Sequence, residues 1–143
     1  MPSVPDLKAY LARSGFEIYR TKNGEISLAE RPRPNLIMDS GVTVIAGDSI
    51  KVRVVVRVER REFPGEDDER LFERARALWA SAVSRGWVEV AHASREVRDT
   101  GDGRQLLDTW FEVTYEHDAA DEAEAAEEAR FAVGAPKIAT HGA

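Results

Sequence analysis

Histidine is the residue type best suited to hold a metal or to move a proton near neutral pH. The chain has three, His92, His117 and His141, and no pair has the H-x-H or H-E-x-x-H spacing of a metal site. If the last predicted hairpin turns near residues 101–102, His92 and His117 lie about 20 Å apart. No cysteine is present to supply a thiolate. We therefore expect neither a metal site nor a cofactor.

Nucleophilic and phosphate-binding motifs are also missing from the sequence. No serine lies in a G-x-S-x-G turn. The segment 101–103 reads Gly-Asp-Gly, but it lacks the G-x-x-x-x-G-K-[ST] pattern and joins two predicted strands. The 26 acidic residues make carboxylate pairs common, so such pairs say little about acid–base catalysis. No catalytic residue is predicted, although triads assemble in space and the sequence leaves an enzyme open.

Basic residues at alternate positions of one predicted strand form the surface best suited to binding. Residues 50–61 alternate between apolar and polar side chains, and the polar positions include Lys51, Arg53, Arg57 and Arg61. This cationic face suits an acidic peptide or helix, through charge-assisted hydrogen bonds. Two alternatives stay open: a solvated face that prevents aggregation, or a face covered by the chain's own acidic segment or by that of a dimer mate.

Trp110 is a second candidate for partner binding. It has the opposite strand parity to Phe111, whose face also carries Val113 and Tyr115. An outward-facing tryptophan is typical of an interface. Core packing is the alternative interpretation for all of these aromatic residues.

The elements that position these residues follow from local signals. Ser3 and Asp6 resemble a capping box and predict a helix over residues 5–13. Asn23-Gly24 between two alternating segments predicts a hairpin, because a type I′ turn needs positive φ at both central residues. The Arg-Pro-Arg-Pro segment 31–34 is predicted to be a loop or a sheet edge. Later predicted elements are strands at 36–46 (with a bulge or turn at Ser40-Gly41), 50–61, 87–97 and 106–116, and helices at 66–84 and 118–132.

This order of elements predicts an α+β fold, with an antiparallel sheet of about five to six strands packed by one long helix. A chain of 143 residues, 43% apolar and 32% charged, fits one globular domain. We place that domain at residues 1–133, including the acidic helix 118–132, and a flexible tail at 134–143.

Charge and hydropathy exclude some partners. A net charge of −6 argues against general affinity for nucleic acid. No apolar run approaches the roughly 20 residues of a membrane helix, and the first residues lack the features of a secretory signal. We expect a cytoplasmic protein that binds neither nucleic acid nor membrane.

Apart from the strand at 36–46, which is additional, the predicted elements follow the order helix, three strands, helix, two strands, helix. This order resembles the type III secretion chaperone-like fold, including the YbjN-like family. The segments that show this resemblance are residues 7–16, the Asn23-Gly24 hairpin, the strand 52–58 and the helix that starts near Glu66. The resemblance implies a dimeric, non-enzymatic module that binds an extended segment of another protein. It assigns no catalytic residue to this chain.

The preferred hypothesis is therefore a chaperone- or adaptor-like homodimer that holds a protein partner on a sheet face or edge. One alternative is a small-ligand binding protein or enzyme, with a pocket near Trp87, His92 and Tyr115. Another is an immunity- or antitoxin-like inhibitor, in which the acidic helix mimics nucleic acid.

Overall fold

The computed structural model describes residues 3–140, which form an α+β fold. A short 3₁₀ turn at Arg60–Glu62 lies between the fourth strand and the second helix of the chain. The helices are α1 (Val4–Arg13), α2 (Asp68–Leu78), α3 (Ala80–Val83) and α4 (Glu122–Gly134). The strands are β1 (Ile18–Lys22), β2 (Glu25–Arg33), β3 (Leu36–Ala46), β4 (Ile50–Glu59), β5 (Val88–Arg98), β6 (Leu106–Ala119) and β7 (Ile138–Ala139).

The strands follow the order β1-β2-β3-β4-β6-β5, and β7 lies beside β4. The predicted α+β class is confirmed, but the sheet has seven strands because the segment after α4 adds β7. β7 pairs with β4 in parallel, through Arg57 with Ile138 and Val58 with Ala139. The segment predicted as a flexible tail thus contains a strand, and residues 141–143 of it lie outside the described residues. Its mobility stays a prediction.

The described chain divides into two compact units, residues 3–54 with 116–135 and residues 55–115 with 136–140. The boundary falls within β4 and within β6, so each of these strands contributes residues to both units. The single domain predicted from the sequence therefore stays a prediction.

The first unit has local structure that the sequence signals describe well. The Ser3 side chain caps α1 by accepting a hydrogen bond from the Asp6 backbone N–H at 3.2 Å. Asn23 has φ 53° and Gly24 has φ 80°, as a type I′ turn requires. Gly41 has φ 82°, at the predicted bulge in β3. These three predictions are confirmed.

The core of the first unit lies between its strands and its two helices. Ile26, Val44 and Val52 are cross-strand neighbours and are fully buried. Leu7 and Leu11 of α1 are buried as well. Helix α4 also contributes to this core, and it packs on β3 and α1. Its buried residues include alanines at helical spacing, namely Ala125, Ala126, Ala129 and Ala132.

Two segments of this unit refine the prediction. β2 continues through Pro32 to Arg33, so of the two alternatives given for the segment 31–34 the structure has the sheet edge and not the loop. The pairing of β2 with β1 ends at Ile18–Leu28, so this part of β2 has a free edge. A proline is tolerated on a free edge because no neighbouring strand needs its N–H. The acidic helix begins at Glu122 rather than at 118, because β6 runs to Ala119 and Asp121 caps the helix by accepting from the Glu124 N–H.

The second unit has its own aromatic core. Trp79 packs edge-on against Trp87 at 5.4 Å between ring centroids, and its ring lies 6.4 Å from that of Tyr115. The helix predicted over 66–84 is divided into α2 and α3 at Trp79, whose backbone has φ −113° and ψ 10°. The Trp79 N–H donates to the Arg76 carbonyl at 3.0 Å, a tightened turn typical of helix ends. Within residues 3–140, no helix has the length and apolar character needed to cross a membrane.

Candidate partner-binding site

The predicted cationic residues of the first unit, Lys51 and Arg53, lie beside carboxylates of the same unit. Arg53 Nε donates to Glu116 Oε2 at 2.8 Å, and its Nη1 lies 3.4 Å from Glu25 Oε2. Lys51 Nζ lies 3.5 Å from Asp118 Oδ1 and 3.9 Å from Glu116 Oε1. These charges are therefore offset within the chain, as one of the sequence alternatives supposed. The carboxylates belong to β2 and β6, however, and not to the acidic helix.

The predicted residues of the second unit, Arg57 and Arg61, are paired in the same way. Arg57 Nη2 lies 3.1 Å from Glu59 Oε2. Arg61 Nε lies 3.3 Å from Glu59 Oε1 and 3.5 Å from Asp108 Oδ2, and its backbone N–H donates to Asp108 Oδ1. Glu59 and Asp108 are both buried. An acidic partner would have to compete with these carboxylates for the two guanidinium groups.

Trp110 lies partly exposed between two arginines from the neighbouring strands. The guanidinium carbon of Arg57 is 3.8 Å from the centroid of the Trp110 ring, and that of Arg95 is 4.6 Å from it. Arg95 also donates to Glu112 at 3.1 Å. Sequence reasoning did not identify Arg95 or Glu112. The alternation of side chains along the last hairpin indicates which residues share a face. It could have placed these two residues beside Trp110 only if the pairing register of β5 and β6 had been known.

β5 is the outermost strand on one side of the sheet, with β6 as its neighbour. Nine of its eleven residues are exposed, including Val88 (62%) and Val90 (51%). Its outer edge has no strand beside it in the part of the chain that the structure describes. An edge strand presents free N–H and C=O groups to which another strand can bind. Sequence reasoning missed this edge because strand order cannot be read from the order of elements.

Two contacts hold β5 against α2 within the second unit. Arg76 Nε donates to Glu89 Oε1 at 2.9 Å, and its Nη2 donates to Glu89 Oε2 at 3.2 Å. The hydrogen bond from Arg76 lowers the pKa of Glu89 from its ordinary value of 4.5. Phe72 packs edge-on against the ring of His92 at 5.0 Å. β5 is thus held on its inner side, while its outer edge faces solvent.

The two histidines within the described residues have different neighbours. His92 is on the exposed strand β5, 3.4 Å from Glu89. His117 Nε2 lies 3.9 Å from Glu128 Oε1, and both of these side chains are largely buried. His141 lies outside the described residues. Across residues 3–140, no three histidine or acidic side chains come together in a way that could hold a metal ion.

The residues proposed for a ligand pocket do not share one environment. Trp87 and Tyr115 are buried in the aromatic core beside Trp79. His92 has about half of its side chain exposed. The ligand-binding alternative therefore gains no support from these three residues.

No protein-family model matches the sequence, and comparisons with curated proteins and with solved structures gave no significant match.

Proposed function

We propose that this protein is a chaperone- or adaptor-like binding module, which takes an extended segment of a partner protein as an additional strand along β5. The observation that supports the proposal is the outer edge of β5. It is eleven residues long and exposed along most of its length. Strand addition at such an edge is a common mode of peptide recognition.

The opposite edge of the sheet supplies a contrast within the same protein. β1 has only five residues, and Arg20 and Lys22 lie within it. Short length and basic side chains are two of the devices that protect an edge from pairing. β5 carries two basic side chains as well, Arg95 and Arg98, but it is twice as long and has no proline. Length therefore distinguishes β5 as the edge that is more available for pairing.

The chemistry of β5 suits recognition of a partner segment with little dependence on its amino-acid sequence. Backbone hydrogen bonds to the partner are independent of its side chains, which gives affinity without strict specificity. Val88 and Val90 add apolar contacts for alternate side chains of an added strand. The balanced charges of β5 (Glu89, Arg95, Glu96 and Arg98) favour neither a strongly acidic nor a strongly basic partner.

The cationic face is a weaker candidate than the edge. Lys51, Arg53, Arg57 and Arg61 each have a carboxylate of the chain within 4 Å. Binding an acidic partner there would exchange one ion pair for another. Such an exchange yields little free energy, since an exposed pair contributes about 0–1 kcal/mol.

Hydrogen–deuterium exchange with reduced, carboxymethylated lactalbumin tests the proposal, because this probe is a permanently unfolded polypeptide. We expect the outward-facing amides of β5 to exchange rapidly in the free protein and more slowly when the probe is bound, because an added strand occupies these groups. The amides of β1 serve as the internal comparison and should not change.

A pair of matched variants separates the edge from general hydrophobic binding. Val90→Lys places a protective charge on β5 and should weaken probe binding by about tenfold. Val83→Lys changes a valine of similar exposure on α3, 56% against 51%, and should leave binding unchanged. Equal binding by both variants, or protection confined to β1, would show that β5 is not the site.

A further inference from the structure

The β2–β3 hairpin ends in an arm, defined here as residues 31–39, whose side chains are all exposed. Its turn is Pro34-Asn35, and the three residues that follow are apolar: Leu36 (38%), Ile37 (40%) and Met38 (44%). Alternation along the strand puts Leu36 and Met38 on one side of the arm and Ile37 on the other. A two-stranded hairpin with apolar side chains on both sides is marginally stable alone in water, so the arm needs a partner surface.

The arm is nevertheless held in one conformation by its own contacts. Arg31 binds the Glu17 carboxylate through two hydrogen bonds of 2.8 Å and donates a third to the Pro34 carbonyl at 2.9 Å. At its base, the buried Ser40 hydroxyl donates to the Leu28 carbonyl at 2.7 Å. A docking element that is already ordered loses little conformational entropy on binding.

A cleft of about 440 Å³ lies at the base of the arm, between the ends of α1 and α4. Its apolar residues are Phe16, Ala29 and Val133. Arg130 joins the two helix ends on one side of the cleft. Its guanidinium donates to the Ser14 carbonyl at 2.9 Å, and its guanidinium carbon lies 5.2 Å from the Phe16 ring centroid. This volume is in the range of about 300–1,000 Å³ that encloses a small ligand, and it has room for apolar side chains of an arm tip.

The charges of the arm and of the cleft are complementary, which favours a second copy of this chain as the occupant. Arg33 is exposed near the tip of the arm, and Glu30 is half-buried in the cleft. In residues 3–140, neither side chain has an ion-pair partner, unlike the basic residues of β4. Glu30 and Arg33 lie about 10 Å apart along one strand and form no ion pair with each other. In a two-fold dimer, Arg33 of each copy can meet Glu30 of the other.

We propose that two copies of this chain form a dimer by reciprocal exchange of the arm. The apolar tip of each arm fills the cleft of the partner, and two symmetry-related Arg33–Glu30 ion pairs set the register. Because the same two surfaces meet twice, the contact closes on itself and does not extend into a fibre. The proposal concerns the first unit and is independent of partner binding at β5.

Sedimentation velocity over a series of protein concentrations tests the apolar part of the contact. We expect a dimer for the natural sequence and about tenfold weaker dimerisation for Ile37→Glu, because a charge enters the cleft. Ile138→Glu is the matched control, an isoleucine of similar exposure on β7 (45%), and should dimerise normally. A natural sequence that stays monomeric throughout the series, or an unaffected Ile37→Glu variant, would overturn the proposal.

Charge reversal tests the reciprocal ion pairs. Arg33→Glu and Glu30→Arg each create two like-charge contacts in a homodimer, so each variant alone should be largely monomeric while its circular dichroism is unchanged. An equimolar mixture of the two variants should form a heterodimer, because both contacts then join opposite charges. A purely structural role for either residue would give no recovery on mixing, and that result would refute the ion pairs.

Discussion

At the scale of single residues, opposite charges within the chain decide which cations are available. The four basic residues predicted to bind a partner are all paired with carboxylates, and two of those carboxylates, on Glu59 and Asp108, are buried. A buried carboxylate that loses its cationic partner is strongly destabilised. Removal of Arg61 would leave Glu59 paired with Arg57 but would take from Asp108 its ion pair with Arg61, so a change in folding would accompany any change in binding.

Glu89 offers a cleaner test, because its pKa direction makes a prediction about pH. Hydrogen bonding from Arg76 lowers the pKa of Glu89 in the folded state from 4.5, so its contribution to stability is present above that value and is lost as the pH falls below it. Glu89→Gln should lower the free energy of unfolding by about 1 kcal/mol near neutral pH. The difference from the natural sequence should shrink on acidification to about pH 3.

Urea unfolding at the two pH values measures this difference, with Glu96→Gln as the control. Glu96 is on the same strand, but its ion pair with Arg98 is exposed on both sides. The control should unfold like the natural sequence at both pH values. A Glu89→Gln effect that stays constant with pH would mean that ionisation of Glu89 is not its cause.

At the scale of elements, the way each helix packs depends on the size of its buried side chains. α2 buries Leu71 and Ala75, whereas α4 is buried mainly through alanine. Small side chains allow the backbone of a helix to approach its neighbours closely, and they leave no room for a larger residue. The alanine-rich helix α4 is therefore a docked element of the first unit.

The close packing of α4 predicts opposite outcomes for two alanines of the same helix. Ala129→Leu should destabilise the protein by about 1–3 kcal/mol, because Ala129 is fully buried and its neighbours must move. Ala123→Leu should be nearly neutral, since Ala123 is exposed. Thermal unfolding followed by circular dichroism measures both. Equal melting temperatures for the two variants would contradict the docked position of α4.

At the scale of the whole molecule, the open question is whether the two units unfold together. β4 and β6 each contribute residues to both units, and a strand is stable only while it keeps its neighbours. Loss of either unit removes part of a strand on which the other depends. We therefore expect one cooperative transition, in keeping with the single domain predicted from the sequence.

The distribution of tryptophan makes this expectation measurable without any substitution. All three tryptophans, Trp79, Trp87 and Trp110, belong to the second unit. Tryptophan fluorescence therefore reports on that unit, whereas far-ultraviolet circular dichroism reports on both. The two urea transitions should coincide. A fluorescence transition clearly separated from the circular dichroism transition would mean that the units unfold independently.

Features that depend on residues a few positions apart could be predicted from the amino-acid sequence. The Ser3 cap, the Asn23-Gly24 turn and the bulge at Ser40-Gly41 each require a particular backbone angle or a nearby hydrogen bond. The alternation in residues 50–58 required a strand with one buried side, and Val52, Val54, Val56 and Val58 are all fully buried. These local requirements were sufficient to predict the α+β class and most of the elements.

The identity of neighbouring strands and of paired charges, by contrast, follows only from the folded structure. Arg53 and Glu116 are 63 residues apart, and the Arg61 N–H and Asp108 are 47 apart, so no local pattern could join them. The exposed edge of β5 depends on strand order, and the parallel pairing of β7 depends on where β3 stops pairing with β4 at Val42–Val54. The physical reason is common to all of these cases. Sheet contacts form between distant segments, and several pairings are compatible with the same alternation of side chains.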